Sequence, residues 1–268
     1  MLLHPHFIKF EKPKNELYLT FSAVVDEKNN KYILNIQKKI IKIVKEEEML
    51  KDLGIEEERK CLYKRIKRED RFIYKYTPKR LHFSIFNFVT YNIVDLVKFE
   101  DERKIIESTI DFEKLKNEAK KFKDNFSTKL LNKDNLIEVK IGGIYLSGGI
   151  DGSLTLKAFP IKPSFFEKLK KITETKIKEM AKRDLPISDD VKIKACPEKN
   201  YQYFALNIFR FIDRNDPPPF NQGGSFYKKI EKINKDIKEK KPIIKMKPCI
   251  IISDPYLANE SPELKADC

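Results

Sequence analysis

His82-Phe83-Ser84 sets an imidazole and a hydroxyl two residues apart within LHFSIFNFVT (Leu81–Thr90), an aromatic and β-branched run that reads as a strand. Residues i and i+2 of a strand point the same way, so His82 and Ser84 stand side by side. An imidazole, with an unperturbed pKa of about 6.5, gives or takes a proton at neutral pH. A hydroxyl can donate to a phosphate oxygen. The pair is a candidate for proton transfer at a phosphate, while an imidazole on an apolar strand is equally compatible with a satisfied core residue. Arg210, inside the strand-like run Tyr203–Ile212 (YQYFALNIFRFI from Tyr201), is a second candidate. A guanidinium there must be paired if it shares the face of Phe204 and Leu206, and can hold a phosphate bidentately if its face opens to a cleft.

The charge distribution favours a phosphate-bearing partner. The chain has 268 residues and a net charge of +14 from 55 basic and 41 acidic side chains. Ten basic residues fall between Arg59 and Arg80, among them Lys64, Arg65, Lys67, Arg68, Arg71, Lys79 and Arg80, against Glu69 and Asp70. Clustered Lys and Arg attract polyphosphate through counterion release. Tyr63, Phe72, Tyr74 and Tyr76, interleaved with them, offer faces on which unpaired bases stack. The alternative is a lysine-coated surface over core aromatics. A second basic run spans Lys228–Lys247, and Asp254–Asp267 reverses sign with four acids and one lysine.

Several classes fall away. No run approaches the ~18 apolar residues of a membrane span, and Met1–Glu11 has no signal-peptide pattern. Cys61, Cys196, Cys249 and Cys268 are far apart with no CxxC, which argues against a zinc knuckle or a secreted disulfide framework. His4 and His6 lack a third ligand nearby, so no metal and no cofactor are expected. The glycines of Gly148–Gly152 lack the lysine and serine of a phosphate loop and read as a hairpin. These features predict a reduced, soluble, cytoplasmic protein.

The elements that must position the pair follow from periodicity. ELYLTFSAVV (Glu16–Val25) alternates Leu17, Leu19, Phe21, Ala23 and Val25 on one strand face. Ile33, Ile36, Ile40 and Val44 recur at helical spacing in Lys31–Glu48, whereas Lys51–Arg71 is ambiguous. Phe112, Leu115, Ala119 and Phe122 mark a helix, and Ile137–Leu146 and Ser153–Phe159 mark two strands. Ser164 and Glu167 form a capping-box signature for a helix carrying Leu169, Ile172, Ile177 and Met180. Beyond Pro217-Pro218-Pro219, Phe226, Ile230, Ile233 and Ile237 predict a basic helix, Pro242–Ser253 a strand, and the acidic end a loose tail. The order is β-α-β, then α-β-β-α-β, which favours an α+β architecture.

The strand segments HFSIFNF (His82–Phe88) and YFALNIF (Tyr203–Phe209) share one apolar rhythm, and each closes a half containing an earlier strand and a long helix. A His-x-Ser on a core strand in a duplicated β-α-β setting resembles the two-histidine phosphoesterase superfamily, which includes the RNA 2′,3′-cyclic phosphodiesterases, or 2′-5′ RNA ligase-like proteins. The resemblance covers roughly residues 16–212. It implies a bilobal domain at 1–212, with lobes of about 16–100 and 101–212 around a central cleft and a C-terminal extension at 213–268. It also implies a metal-independent reaction in which one histidine takes a proton from the attacking water or 2′-hydroxyl and its counterpart protonates the leaving oxygen. His82 and Ser84 match one motif; at the other stand Tyr203 and Ala205, so the second half-site departs from the family pattern. Tyrosine is a poor base at neutral pH but can act as an acid or hydrogen-bond donor.

The resemblance makes RNA or nucleotide phosphates the expected partners and His82, Ser84 and Tyr203 the expected catalytic set. Two other readings stay open. One is a non-catalytic RNA- or nucleotide-binding descendant of that fold, and the other a tandem ferredoxin-like RNA-processing endonuclease.

Overall fold

Alternation of apolar and polar residues builds the sheet on which everything else rests. In β1 (Tyr18–Val25), Leu19, Phe21, Ala23 and Val25 are buried on one face while Thr20 and Ser22 occupy the other. The computed structural model describes residues 18–48, 50–56, 71–77, 81–89, 112–131, 135–147, 153–183, 203–213, 224–253 and 266–267. The chain continues through α1 (Asn30–Glu46), β2 (Gly54–Glu56), β3 (Arg71–Lys75), β4 (His82–Val89), α2 (Phe112–Leu130), β5 (Ile137–Ser147) and β6 (Ser153–Pro160). There follow α3 (Phe165–Ala181), β7 (Phe204–Asp213), α4 (Ser225–Lys240), β8 (Ile243–Ser253) and the two-residue β9 (Ala266–Asp267).

The protein is α+β. Eight strands form one mixed sheet in the order β2-β3-β7-β6-β5-β8-β1-β4, with β9 against β8. Only β2 and β3 run parallel; the other described pairs are antiparallel. Strands from both halves of the chain interleave in this sheet. β8, from the segment expected to be a C-terminal extension, lies between β5 and β1 and joins them. The acidic end, expected to be a loose tail, contributes β9, which pairs Ala266 and Asp267 with Ile251 and Ile250.

The ladder registers carry the two faces across the whole sheet. Phe21 pairs with Phe86 and Ile250, Ile144 with Leu156, Leu156 with Leu206, and Phe211 with Ile73, giving one continuous apolar face. Helices cover it: Phe122 and Phe126 of α2 meet Phe21 edge-on at 5.3 and 4.9 Å, Phe165 of α3 meets Phe204 at 5.6 Å, and Phe226 of α4 meets Phe211 at 6.1 Å. Ser164 does precede α3 as expected, but its side chain makes no capping hydrogen bond.

Local irregularities explain the buried polar side chains. β5 bulges at Gly142, and Gly143 takes a φ of +137°, a conformation suited to glycine. Past this point β8 no longer pairs with β5, and Asn234 of α4 takes its place. Its Oδ1 accepts from Ile144 N at 2.6 Å and its Nδ2 donates to Ile144 O at 2.9 Å. Ile208 is the extra residue of a second bulge, in β7. Its carbonyl accepts from Tyr76 N at 3.2 Å and from Gln37 Nε2 of α1 at 3.2 Å.

Cys249, fully buried on β8, is disulfide-bonded, a departure from the reduced protein that the cysteine spacing suggests. Among the described residues no helix is long and apolar enough to cross a membrane, and no cluster of His, Cys, Asp and Glu is arranged to hold a metal.

Candidate functional site

The sheet curls until its last strand, β4, reaches β7. β3 occupies only the Phe209–Lys75 to Asp213–Arg71 part of the β7 edge, which leaves the Phe204 end for β4. β4 and β7 come into contact without pairing as ladder neighbours among the described residues. The Phe83 and Phe204 rings stack with centroids 3.6 Å apart and planes inclined by 14°. These are the second residues of the two matched segments, so the likeness read along the chain coincides with a meeting point in space.

Alternation turns the flanking residues of each segment to the opposite face. On β4, His82 pairs with Val24 and Ser84 with Ser22, and both are half-buried. Ser22 Oγ donates to Thr20 Oγ1 at 3.3 Å, and Thr20 Oγ1 donates to Phe86 O at 3.2 Å. On β7 the same face carries Ala205, Asn207 and Arg210, with Tyr203 at the head of the strand. Arg210 reaches this face through the Ile208 bulge. Without the extra residue its parity would place it with Phe204 and Leu206. Arg210 Nε is buried and, among the described residues, has no hydrogen-bond partner.

β5 and β6 supply the rest of the polar face. Thr155 Oγ1 donates to Asn207 Oδ1 at 2.7 Å and lies 3.3 Å from Ser153 Oγ. Tyr145 is the cross-strand partner of Thr155. The Tyr145 and Tyr203 rings meet edge-on at 6.0 Å, and Phe159 supports Tyr203 at 5.7 Å. Lys157 Nζ lies 5.0 Å from the Tyr145 ring centre and 4.9 Å from that of Tyr203. Burial, followed by the neighbouring Tyr203, raises the Tyr145 pKa above its usual value, against a lowering hydrogen bond from Thr155. The phenol therefore stays protonated, and able to donate, at neutral pH.

The structure puts His82, Ser84 and Tyr203 near the meeting of β4 and β7, and Arg210 on the same polar face farther along β7, opposite Ser153 of β6 and Tyr74 of β3. Lys64, Arg65, Lys67, Arg68, Lys79 and Arg80 lie outside the described residues, and of Arg71 only the backbone, in β3, is described. Sequence reasoning missed Tyr145, Thr155, Lys157 and Asn207. The alternation of SLTLK (Ser153–Lys157) does hold the signal that three polar side chains share one face.

A second polar cluster lies elsewhere, in a cleft of about 360 Å³ between α2 and α3. Glu118, 3% exposed, pairs there with Lys176, with Lys121 at 3.0 Å and with Arg183 at 2.7 Å. Burial alone would raise its pKa. The hydrogen bonds and charges of Lys176 and Lys121 outweigh that and hold it at about 2. The cluster's cations are committed to the Glu118 carboxylate and clamp two helices together, so the polar sheet face is the better candidate for chemistry. No family model matches the chain, and no curated protein or solved structure shows significant similarity to it.

Proposed function

We propose that the protein is an RNA- or nucleotide-directed phosphoesterase of the two-histidine type, acting on 2′,3′-cyclic phosphates at the polar face shared by β4 and β7. The observation that carries the reading is the contact of the two matched segments through the stacked rings of Phe83 and Phe204. It supports a bilobal descent in which each half contributes one strand to one site. His82 takes a proton from the attacking water, whose oxygen bonds to phosphorus as one P–O ester bond breaks. Tyr203 serves as the acid toward the leaving oxygen, and Ser84 and Arg210 hold phosphate oxygens. The balance is one water consumed and one phosphomonoester formed, and no step draws on a metal.

A specific observation favours a second reading. Ala205, exposed at the position of the second motif's hydroxyl, can neither donate to phosphate nor transfer a proton. A half-site of that kind suits a protein that holds RNA or a nucleotide without turnover. An oligoribonucleotide ending in a 2′,3′-cyclic phosphate separates the two readings. Conversion to a phosphomonoester, lost in His82→Ala, supports the enzyme. Tight binding with the cyclic end intact supports the non-catalytic protein, and neither binding nor turnover at 50 mM salt removes both.

A further inference from the structure

We infer that Lys157 replaces the hydroxyl missing at Ala205, so that the second half-site grips a terminal phosphate through an ammonium presented by the adjacent strand. The inference rests on the phosphoesterase-type reading of this face and names the residue that completes it. Lys157 is the direct cross-strand partner of Ala205 in the β6–β7 ladder, so the two side chains share a face. The alanine leaves room beside Tyr203, and the lysine reaches over the Tyr145 and Tyr203 rings.

The lysine is half-buried. Among the described residues, no carboxylate lies within ion-pair distance of its ammonium, and its polar environment is the two tyrosine faces. Farther along the same face, opposite Ser153, the Arg210 guanidinium has a buried Nε that lacks a hydrogen-bond partner among the described residues. A lysine on this face with no carboxylate partner, together with the unsatisfied Arg210 Nε, fits an anionic ligand better than a closed network. A cation lying on aromatic faces is stabilised modestly and remains available to a phosphate oxygen. The ligand class is a phosphomonoester or cyclic phosphodiester at the end of an RNA or on a nucleotide. Tyr145 acts as a positioning residue through its edge-on contact with the Tyr203 ring.

The test compares binding of two labelled oligoribonucleotides by fluorescence anisotropy, one ending in a 3′-phosphate and one in a 3′-hydroxyl. Neither has a cyclic phosphate to hydrolyse. A charge-assisted hydrogen bond to the terminal phosphate predicts a preference for the phosphate end of about ten-fold in wild type. Lys157→Gln should reduce that preference to less than about three-fold, and Lys157→Arg should restore most of it. Lys157→Met, which keeps the aliphatic stem over the rings and removes only the charge, should behave like Lys157→Gln, and thermal melting of each variant reports the fold. If Lys157→Gln and Lys157→Met keep the wild-type preference while Ser84→Ala loses it, the lysine assignment is overturned and the phosphoesterase-type site stands. If wild type does not distinguish the two ends, both fall.

Discussion

Replacing Glu118 by Gln removes one negative charge and almost no volume from the α2–α3 cleft, so its effect isolates an electrostatic contribution. Lys176, 5% exposed, would keep only Glu179 at 3.8 Å, a partner whose side chain is 50% exposed. Stranding a buried ammonium in this way costs about 3–5 kcal/mol. The carboxyl offers a second route to the magnitude. Its pKa falls from 4.5 to about 2, which at about 1.4 kcal/mol per pH unit corresponds to about 3 kcal/mol of folding free energy. Because the folded-state pKa is depressed, this contribution is complete above pH 4.5 and is lost as the pH falls to about 2. Urea unfolding at a series of pH values reads both quantities. Glu118→Gln should be about 3 kcal/mol less stable than wild type at pH 7, and the difference should close as the pH approaches 2. Adding Lys176→Met to Glu118→Gln should recover most of the loss by removing the stranded charge. A difference below 1 kcal/mol at pH 7, or one that stays constant down to pH 2, would refute the reasoning.

Two further substitutions probe the framework of the site. Asn234→Ala leaves both the amide and the carbonyl of Ile144 without their side-chain partner, and denaturant unfolding should show a loss of about 2–4 kcal/mol. Phe204→Ala removes the ring stacked on Phe83. It should cost about 3–5 kcal/mol by the same measurement and, by loosening β4 from β7, lower turnover even under conditions where the variant is fully folded.

Much of the fold is written in local periodicity. Alternation in Leu19–Val25 and the three-and-four spacing of Ile33, Ile36, Ile40 and Val44 are enough to place β1 and α1, since each pattern commits one face to the core. β3 is less legible because its five residues, RFIYK, begin with one charge and end with another, and pairing with Asp213–Phe209 decides its conformation. The β8 segment reads correctly as a strand, but its place between β5 and β1 is a matter of long-range pairing that no local pattern encodes.

The site divides in the same way. His82 and Ser84 share a face by parity alone, and the likeness of their segment to that of Tyr203 marks the strand that β4 meets. Arg210 depends on a one-residue bulge at Ile208, which inverts parity without a glycine to announce it. Lys157 gains its meaning only from standing opposite Ala205, a register fixed by the β6–β7 ladder.

Single-turnover hydrolysis of a ribonucleoside 2′,3′-cyclic phosphate, followed for wild type and His82→Ala across pH 5–9, tests the central claim most directly. Phosphomonoester should form with the wild-type protein, the rate should fall about 10²- to 10⁴-fold in His82→Ala, and the acidic limb of the wild-type profile should vanish with the imidazole. A wild-type protein that leaves the cyclic phosphate intact, or a His82→Ala variant that opens it as fast with the same pH dependence, would contradict the account.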